Sequence, residues 1–367
     1  MEEHYTYKKS GVNIASGEEA SKLLFEAAKK TWGNRRDKVG EIELIASHFR
    51  GCRFFSPFPG FCFGMNFDGI GTKIEVAERL NTHRGLARDL VAMTCDDAAV
   101  QGAEPILFGS IIDTARINTA VIAELAQGLI DAAAIANVAV INGELAELPG
   151  RVAGYGAAPL NWGGACLWCG RPETLSGWTK PIPGDVVVGL SENGFRSNGY
   201  SLLRAIFHDA FGETWGLSGN PSGIDLIRFA ARPSTIYTPF LLSITGGLSG
   251  YLTEGLRAAI HITGGGLLGR CKEFCREQNL GMVLDSLPSP PEEMCQIREL
   301  GNVDLAEAYR TWNMGIGLLV VCSKNQATQI VEVASLAGMT AEVVGAITAD
   351  DTVKLRTYVD SLICENI

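Results

Sequence analysis

The chain has no Lys/Arg block, only five histidines, and no uninterrupted apolar run of the 18 or so residues that a bilayer span needs. Acidic residues outnumber basic ones by 41 to 31, a formal net charge of -10. A surface of that sign repels a phosphate backbone and an anionic lipid face, so neither nucleic acid nor membrane is an expected partner. The histidines (His4, His48, His83, His208, His261) show no metal-ligand spacing and no Gly-x-Ser-x-Gly elbow is present, which removes zinc and serine hydrolases. Prolines number only 14 against 43 glycines, and nothing is low in complexity, which excludes a disordered or fibrous chain. The segment Met1 to Ser10 is polar and lacks the apolar core of a signal peptide, so the expected location is cytoplasmic.

What is present is a 367-residue chain that is 46% hydrophobic, long enough for two cores. Its ten cysteines are scattered, and a chain of this size needs no stapling. Cys166-x-x-Cys169 and Cys271 with Cys275 allow a four-thiolate zinc site, but Cys166 lies in the apolar run Ala165 to Cys169 that reads as a buried strand of reduced thiols.

Helical periodicity predicts helices at Glu18 to Lys30, Arg84 to Gln101, Thr119 to Ala136 with Asn118 as cap, Gly199 to Phe211 and Tyr237 to Ile244. Strands are expected at Phe61 to Asn66, Pro105 to Ile112, Val138 to Ile141, Val186 to Leu190, Ala258 to Ile262 and Gly315 to Cys322. This alternation indicates an α/β or α+β layered fold. The Gly/Pro/Ser/Thr-rich stretch from Gly170 to Gly184 divides it into residues 1–170 and 171–367.

Five places suit chemistry on a magnesium nucleotide. In Asp68-Gly69-Ile70-Gly71-Thr72-Lys73 two glycines allow a close turn, with a carboxylate at a strand end and a cation beyond. A tight turn with a solvated Lys uses the same residues, and the Gly-Lys-Ser/Thr ending of a Walker loop is missing. Asp89 and Asp96 share a helix face, with Asp97 one step around. Acids so near a helix C-terminus oppose its dipole, a conflict that a divalent cation relieves if the turn is not simply solvated. Asn142-Gly143-Glu144 follows an apolar strand, so Asp68, Asp97 and Glu144 are candidate metal carboxylates. Arg196-Ser197-Asn198 opens a helix whose first N–H groups make either an anion site or an ordinary cap. Gly264-Gly265-Gly266 is a second cradle; continued to Gly269 it also matches a dinucleotide fingerprint, the signature of a rival oxidoreductase reading.

Taken in order, Tyr7 to Ile14, Asp68 to Lys73, Asp89 to Met93, Val100 to Pro105, Gly143 to Gly150, Ser197 to Ser201, His261 to Gly266 and Tyr309 to Gly317 resemble the aminoimidazole ribonucleotide synthetase family, the phosphoribosylformylglycinamidine cyclo-ligases. The resemblance implies a two-domain fold whose N-terminal sheet pairs with a second subunit's in a homodimer. It implies ATP and Mg²⁺ as cofactors and the ATP-driven closure of formylglycinamidine ribonucleotide to aminoimidazole ribonucleotide. It also implies roles: Asp68, Asp97 and Glu144 toward metal; Gly69, Gly71, Thr72, Lys73, Asn142 and Gly143 toward nucleotide; Arg196, Ser197, Asn198 and Gly264 to Gly266 toward the ribonucleotide; and Lys73, Asp97 and Arg196 in catalysis.

The chain departs from the family's pattern at several points. Arg35 to Gly40 stands where a glycine-rich loop is expected, Leu145 replaces a Thr, Asp96 an Asn, Arg196 a His and Ser110 an Asp, and the approach to the strand at Asn161 lacks an Asp. The alternatives these raise are a related phosphotransferase acting on another small molecule and a nucleotide-binding protein without turnover.

Overall fold

The structure is a computed structural model that describes residues 36–37, 41–45, 52–176, 179–249 and 252–367. The helix expected at Glu18 to Lys30 and most of the Arg35 to Gly40 stretch lie outside the described residues.

Two sheets organise the molecule. The first contains β1 (Glu43–Ile45), β2 (Cys52–Phe58), β3 (Phe61–Gly69), β4 (Glu104–Thr114), β5 (Ala139–Glu147) and β6 (Leu160–Gly170), in the order β1-β2-β3-β6-β4-β5. Only β4 and β5 run parallel, as expected for strands joined by a helix rather than a tight turn. That crossover is α3 (Thr119–Ala136), preceded by α1 (Lys73–Leu80) and α2 (Leu86–Ala99). Asn118 caps α3 by accepting from the N–H of Ala120 at 3.0 Å, as its sequence predicts, and Asn137 ends it with φ of 56°.

Apolar alternation decides which sheet face turns inward. Cys62, Phe108, Cys166 and Trp168 are buried together with α2 residues Leu90, Val91 and Met93. The Trp168 ring lies over Gly64, where a Cβ would stand 2.1 Å from it, so this strand position requires glycine. Burial of each such large side chain contributes about 1.5–3 kcal/mol. By length and composition α3 is apolar enough to cross a bilayer. It nevertheless carries Asp131, which pairs with Arg84, and buries Val121, Leu125 and Ala132 in the core shared with α2.

After α4 (Pro172–Ser176) the second sheet contains β7 (Val186–Ser191), β8 (Leu256–His261), β9 (Gly281–Leu284), β10 (Ile316–Cys322), β11 (Ala341–Thr348), β12 (Thr352–Arg356) and β13 (Leu362–Asn366), in the order β13-β12-β9-β11-β7-β10-β8. Its helices are α5 (Tyr200–Phe211), α6 (Ile224–Ala230), α7 (Thr238–Thr245), α8 (Gly266–Gln278), α9 (Glu292–Leu300), α10 (Leu305–Thr311) and α11 (Ala327–Leu336). β10 is buried at every position, the signature of a central strand covered on both faces. Ala99 at the end of α2 enters the core formed by β7, β10, α7 and α11, so one helix belongs to both halves.

Candidate functional site

Asp68 closes β3, and its Oδ1 accepts from the N–H of Gly69 at 2.6 Å. The following turn is pinned because the Ile70 N–H donates to the Trp162 carbonyl at 3.1 Å, while Gly71 adopts φ of 67°. Thr72 stands at the α1 N-cap without using its side chain there. Asp68 is exposed at its surface, yet desolvation, followed by the charge of Asp97, pushes its carboxyl up to about 6, against the pull of the Gly69 N–H and His261.

α2 delivers three more acids. Asp89 and Asp96 are fully buried, and Asp97 turns outward. Both buried acids meet the chain's own cations, and for Asp96, late in the helix, that cation answers the expected dipole conflict. Lys73 Nζ donates to Asp89 Oδ1 at 2.8 Å, and Arg196 Nη2 donates to Asp96 Oδ2 at 3.1 Å. Lys73 also reaches the carbonyls of Arg196 at 2.9 Å and Arg232 at 2.6 Å, so its three donors are all engaged inside the protein. Arg196 gives Nη1 to Glu192 at 2.7 Å and to the Thr235 carbonyl at 3.0 Å. Both cations therefore fasten the first domain to the second rather than pointing into open space. Burial lowers the Lys73 pKa and raises those of Asp89 and Asp96.

His261, at the end of β8, is a site residue that sequence reasoning did not single out. Its Nδ1 lies 2.6 Å from Asp97 Oδ1 and its Nε2 lies 2.6 Å from Arg196 Nη2. The only sequence signal for it is its place just ahead of the glycine turn. In that turn Gly265 and Gly266 have φ of 96° and 61°. Asn198 Oδ1 lies 3.5 Å from where a Cβ on Gly264 would stand, so the Ser197-Asn198 loop and the glycine turn are neighbours. The Ser197 hydroxyl is buried with no protein partner, a donor left for something else.

Glu144 is placed elsewhere. Across the sheet, Asp68 is aligned with Gly164, Ser110 and Gly143, whereas Glu144 is aligned with Ile111, Gly163 and Gly69. Facing residues share a side and successive ones alternate, so Asp68 and Glu144 project to opposite faces, with β6 and β4 between their strands. Among the described residues no group of three His, Cys, Asp or Glu stands together as a metal cage. The Asn142 side chain accepts from the N–H of Gly143 at 2.8 Å.

The cysteine pairs lie on β6 and α8 as buried free thiols. The dinucleotide reading fails on topology. β8 is an edge strand, and the strand after α8 joins the sheet four places away, so the strands flanking the glycines are not the neighbouring pair of a dinucleotide-binding βαβ unit.

Residues 57–165 match the family described as AIR synthase related protein, N-terminal domain, and residues 183–357 match its C-terminal domain. A phosphoribosylformylglycinamidine cyclo-ligase of Caldanaerobacter subterraneus subsp. tengcongensis is 30% identical over 93% of this chain and 97% of its own length. The fold is shared with the hydrogenase maturation protein HypE of E. coli, at TM-score 0.58 and 17% identity, covering 84% of this chain and 85% of that one. It is shared also with T. maritima PurL complexed with ATP, at TM-score 0.50 and 16% identity, over 92% of this chain and 48% of that longer one. Matched in both domains and over nearly its whole length, the chain belongs to the AIR synthase family.

Proposed function

We propose that this protein is an ATP-dependent cyclo-ligase that converts formylglycinamidine ribonucleotide to aminoimidazole ribonucleotide, releasing ADP and phosphate. An amide oxygen is a poor leaving group until it is phosphorylated; once it is, a neighbouring nitrogen displaces it and closes the imidazole. Such chemistry asks a protein mainly to position two phosphate-bearing molecules and to balance their charge. The reading is supported by the family and by relatives that carry this name. The single observation that carries it is the 2.6 Å contact of Asp97, from α2 of one domain, with His261 ahead of the glycine turn of the other, with Asp68 near enough to feel both charges.

Two carboxylates sharing a site, one of them pushed up to about 6, fit a Mg²⁺ held jointly with phosphate oxygens, because such a cation takes one or two protein carboxylates and leaves the rest to substrate. Asp68 and Asp97 would hold it, and when bound it supplies charge neutralisation at the phosphoryl oxygens. Gly69, Gly71 and Thr72 border the nucleotide side of the cleft in this proposal, with Gly143, in register with Asp68, as a further nucleotide contact, while Asn142 and Glu144 fall on the other face. Ser197, Asn198 and Gly264 to Gly266 take the ribonucleotide, with the free Ser197 hydroxyl as a donor. Lys73 and Arg196 serve catalysis by holding the two domains in register.

A homodimer paired through the first sheet belongs to the same proposal. Met65, Phe67 and Ile111 project from the face of that sheet turned away from α2, at 52%, 72% and 56% exposure, an apolar patch of the kind that marks an interface. So does a cytoplasmic location without nucleic-acid or membrane partners.

ADP release with ATP, Mg²⁺ and formylglycinamidine ribonucleotide tests the reaction, with Asp68→Asn as control. Aminoimidazole ribonucleotide formation that the control abolishes supports the cyclo-ligase. ATP binding without turnover points to another small-molecule substrate, and absence of ATP binding sinks the catalytic reading.

A further inference from the structure

Two buried charges from different domains meet in space: Asp96 and Arg196, a hundred positions apart, form an ion pair at 3.1 Å. Asp96 is held from its other side by the Thr238 hydroxyl at 2.9 Å, and Arg196 by Glu192 at 2.7 Å. Arg196 is a non-glycine residue in the left-handed region, with φ of 59°, a conformation that persists only where the surroundings impose it. Its carbonyl is held by Lys73 and its guanidinium by Glu192, Asp96 and the Thr235 carbonyl, so backbone and side chain are both fixed.

The polarity of the next contact follows from donor chemistry alone. A guanidinium has no acceptor, so the 2.6 Å approach of Arg196 Nη2 to His261 Nε2 requires a lone pair on Nε2. The single ring proton then sits on Nδ1, which donates to Asp97 Oδ1 at 2.6 Å. With the opposite tautomer, Nε2–H would face an Arg N–H and Nδ1 would face a carboxylate oxygen, placing like against like at both contacts.

We infer that Arg196, held by Asp96 and Glu192, acts as a positioning residue fixing the Nδ1–H tautomer of His261, which in turn orients Asp97 toward the cleft. That Asp97 serves the nucleotide rests on the function proposed above; the pairing and the tautomer do not. Replacing Arg196 alone leaves two buried carboxylates, Asp96 and Glu192, without a cation, whereas replacing Asp96 as well leaves only Glu192 unpaired.

Two measurements on the full-length protein decide the matter without turnover. Labelling the five histidines with ¹⁵N and assigning His261 by its loss in His261→Gln reads the tautomer directly. Protonated Nδ1 with bare Nε2 is expected; a protonated Nε2, or equal populations of both tautomers, overturns the inference. Thermal melting of Arg196→His, Asp96→Asn and the double variant reads the pairing. A clear loss for Arg196→His that the second substitution partly reverses is expected, since Glu192 still lacks its cation, and simple additivity overturns it. Should Arg196→His fail to fold, a soluble, folded double variant supports the pairing, while an unfolded double variant counts against it.

Discussion

Lys73 Nζ lies 2.8 Å from Asp89 Oδ1 with both side chains fully buried, and the pair joins the start of α1 to the first turn of α2. The Ser234 N–H and hydroxyl donate to the same Asp89 oxygen at 2.9 and 2.5 Å, and the Lys73 ammonium stands 5.5 Å from the centre of the Tyr200 ring. Desolvation drives both partners toward neutrality, so the pair holds because every Lys73 donor is engaged. Lys73→Met strands Asp89 and two carbonyls and should cost about 3–5 kcal/mol in urea unfolding. Lys73→Met with Asp89→Leu should recover much of that loss, and a double variant no better than the single would refute the pairing.

Asp68 should make the protein less stable as pH rises. Its carboxyl titrates at about 6 when folded against 3.8 for an aspartate free in water, so the folded state binds the proton more tightly. Stability therefore falls between about pH 4 and 6 and stays lower above that window. Asp68→Asn is expected to melt higher than the parent protein at neutral pH, to match it below about pH 4, and to lose turnover. Added Mg²⁺ with ATP should raise the parent's melting point and leave the variant's unchanged.

Two glycines of the site differ in how much a methyl group would disturb them. Gly71 has φ of 67° with no atom within 4 Å of the place an alanine methyl would take, so Gly71→Ala should cost only the left-handed strain, about 1–2 kcal/mol. Gly266 has φ of 61°, and its methyl would lie 2.6 Å from the Tyr309 carbonyl and 2.7 Å from that of Trp312. Gly266→Ala should cost roughly 3 kcal/mol or more, because backbone has to move, and should raise the KM for the ribonucleotide above that for ATP. Equal costs at the two positions would refute the distinction.

Charge placed on the outer face of the first sheet should separate a dimer without unfolding the chain. Phe67→Asp with Ile111→Asp is expected to sediment as a monomer where the parent protein sediments as a dimer, with the far-ultraviolet circular dichroism retained. A parent protein that is monomeric at every concentration would remove the pairing proposal.

Much of the fold was legible because its signals are local. Asn118 announces α3 through its own side chain, and the predicted run from Arg84 to Gln101 settles as Leu86–Ala99. The continuous apolar stretch expected from Gly315 to Cys322 becomes the fully buried β10. The strands β12 and β13 escape a sequence reading because they are only five residues long, and β11 because its exposed and buried positions neither alternate nor form an apolar run.

The site divides along the same line. Which residues carry charge, where the chain must turn on glycine, and which family the ordered motifs belong to were all set by the sequence itself, since each depends on residue type and near neighbours. What faces each charge was decided only by the tertiary structure. Asp96 meets Arg196 a hundred positions away, and Asp97 meets His261 across 164. Asp68 and Glu144 are parted because β6 and β4 separate their strands and the register sends them to opposite faces. An acid near a helix end calls for a cation on electrostatic grounds alone, but whether a metal or an arginine supplies it depends on contacts that exist only once distant segments have closed on one another.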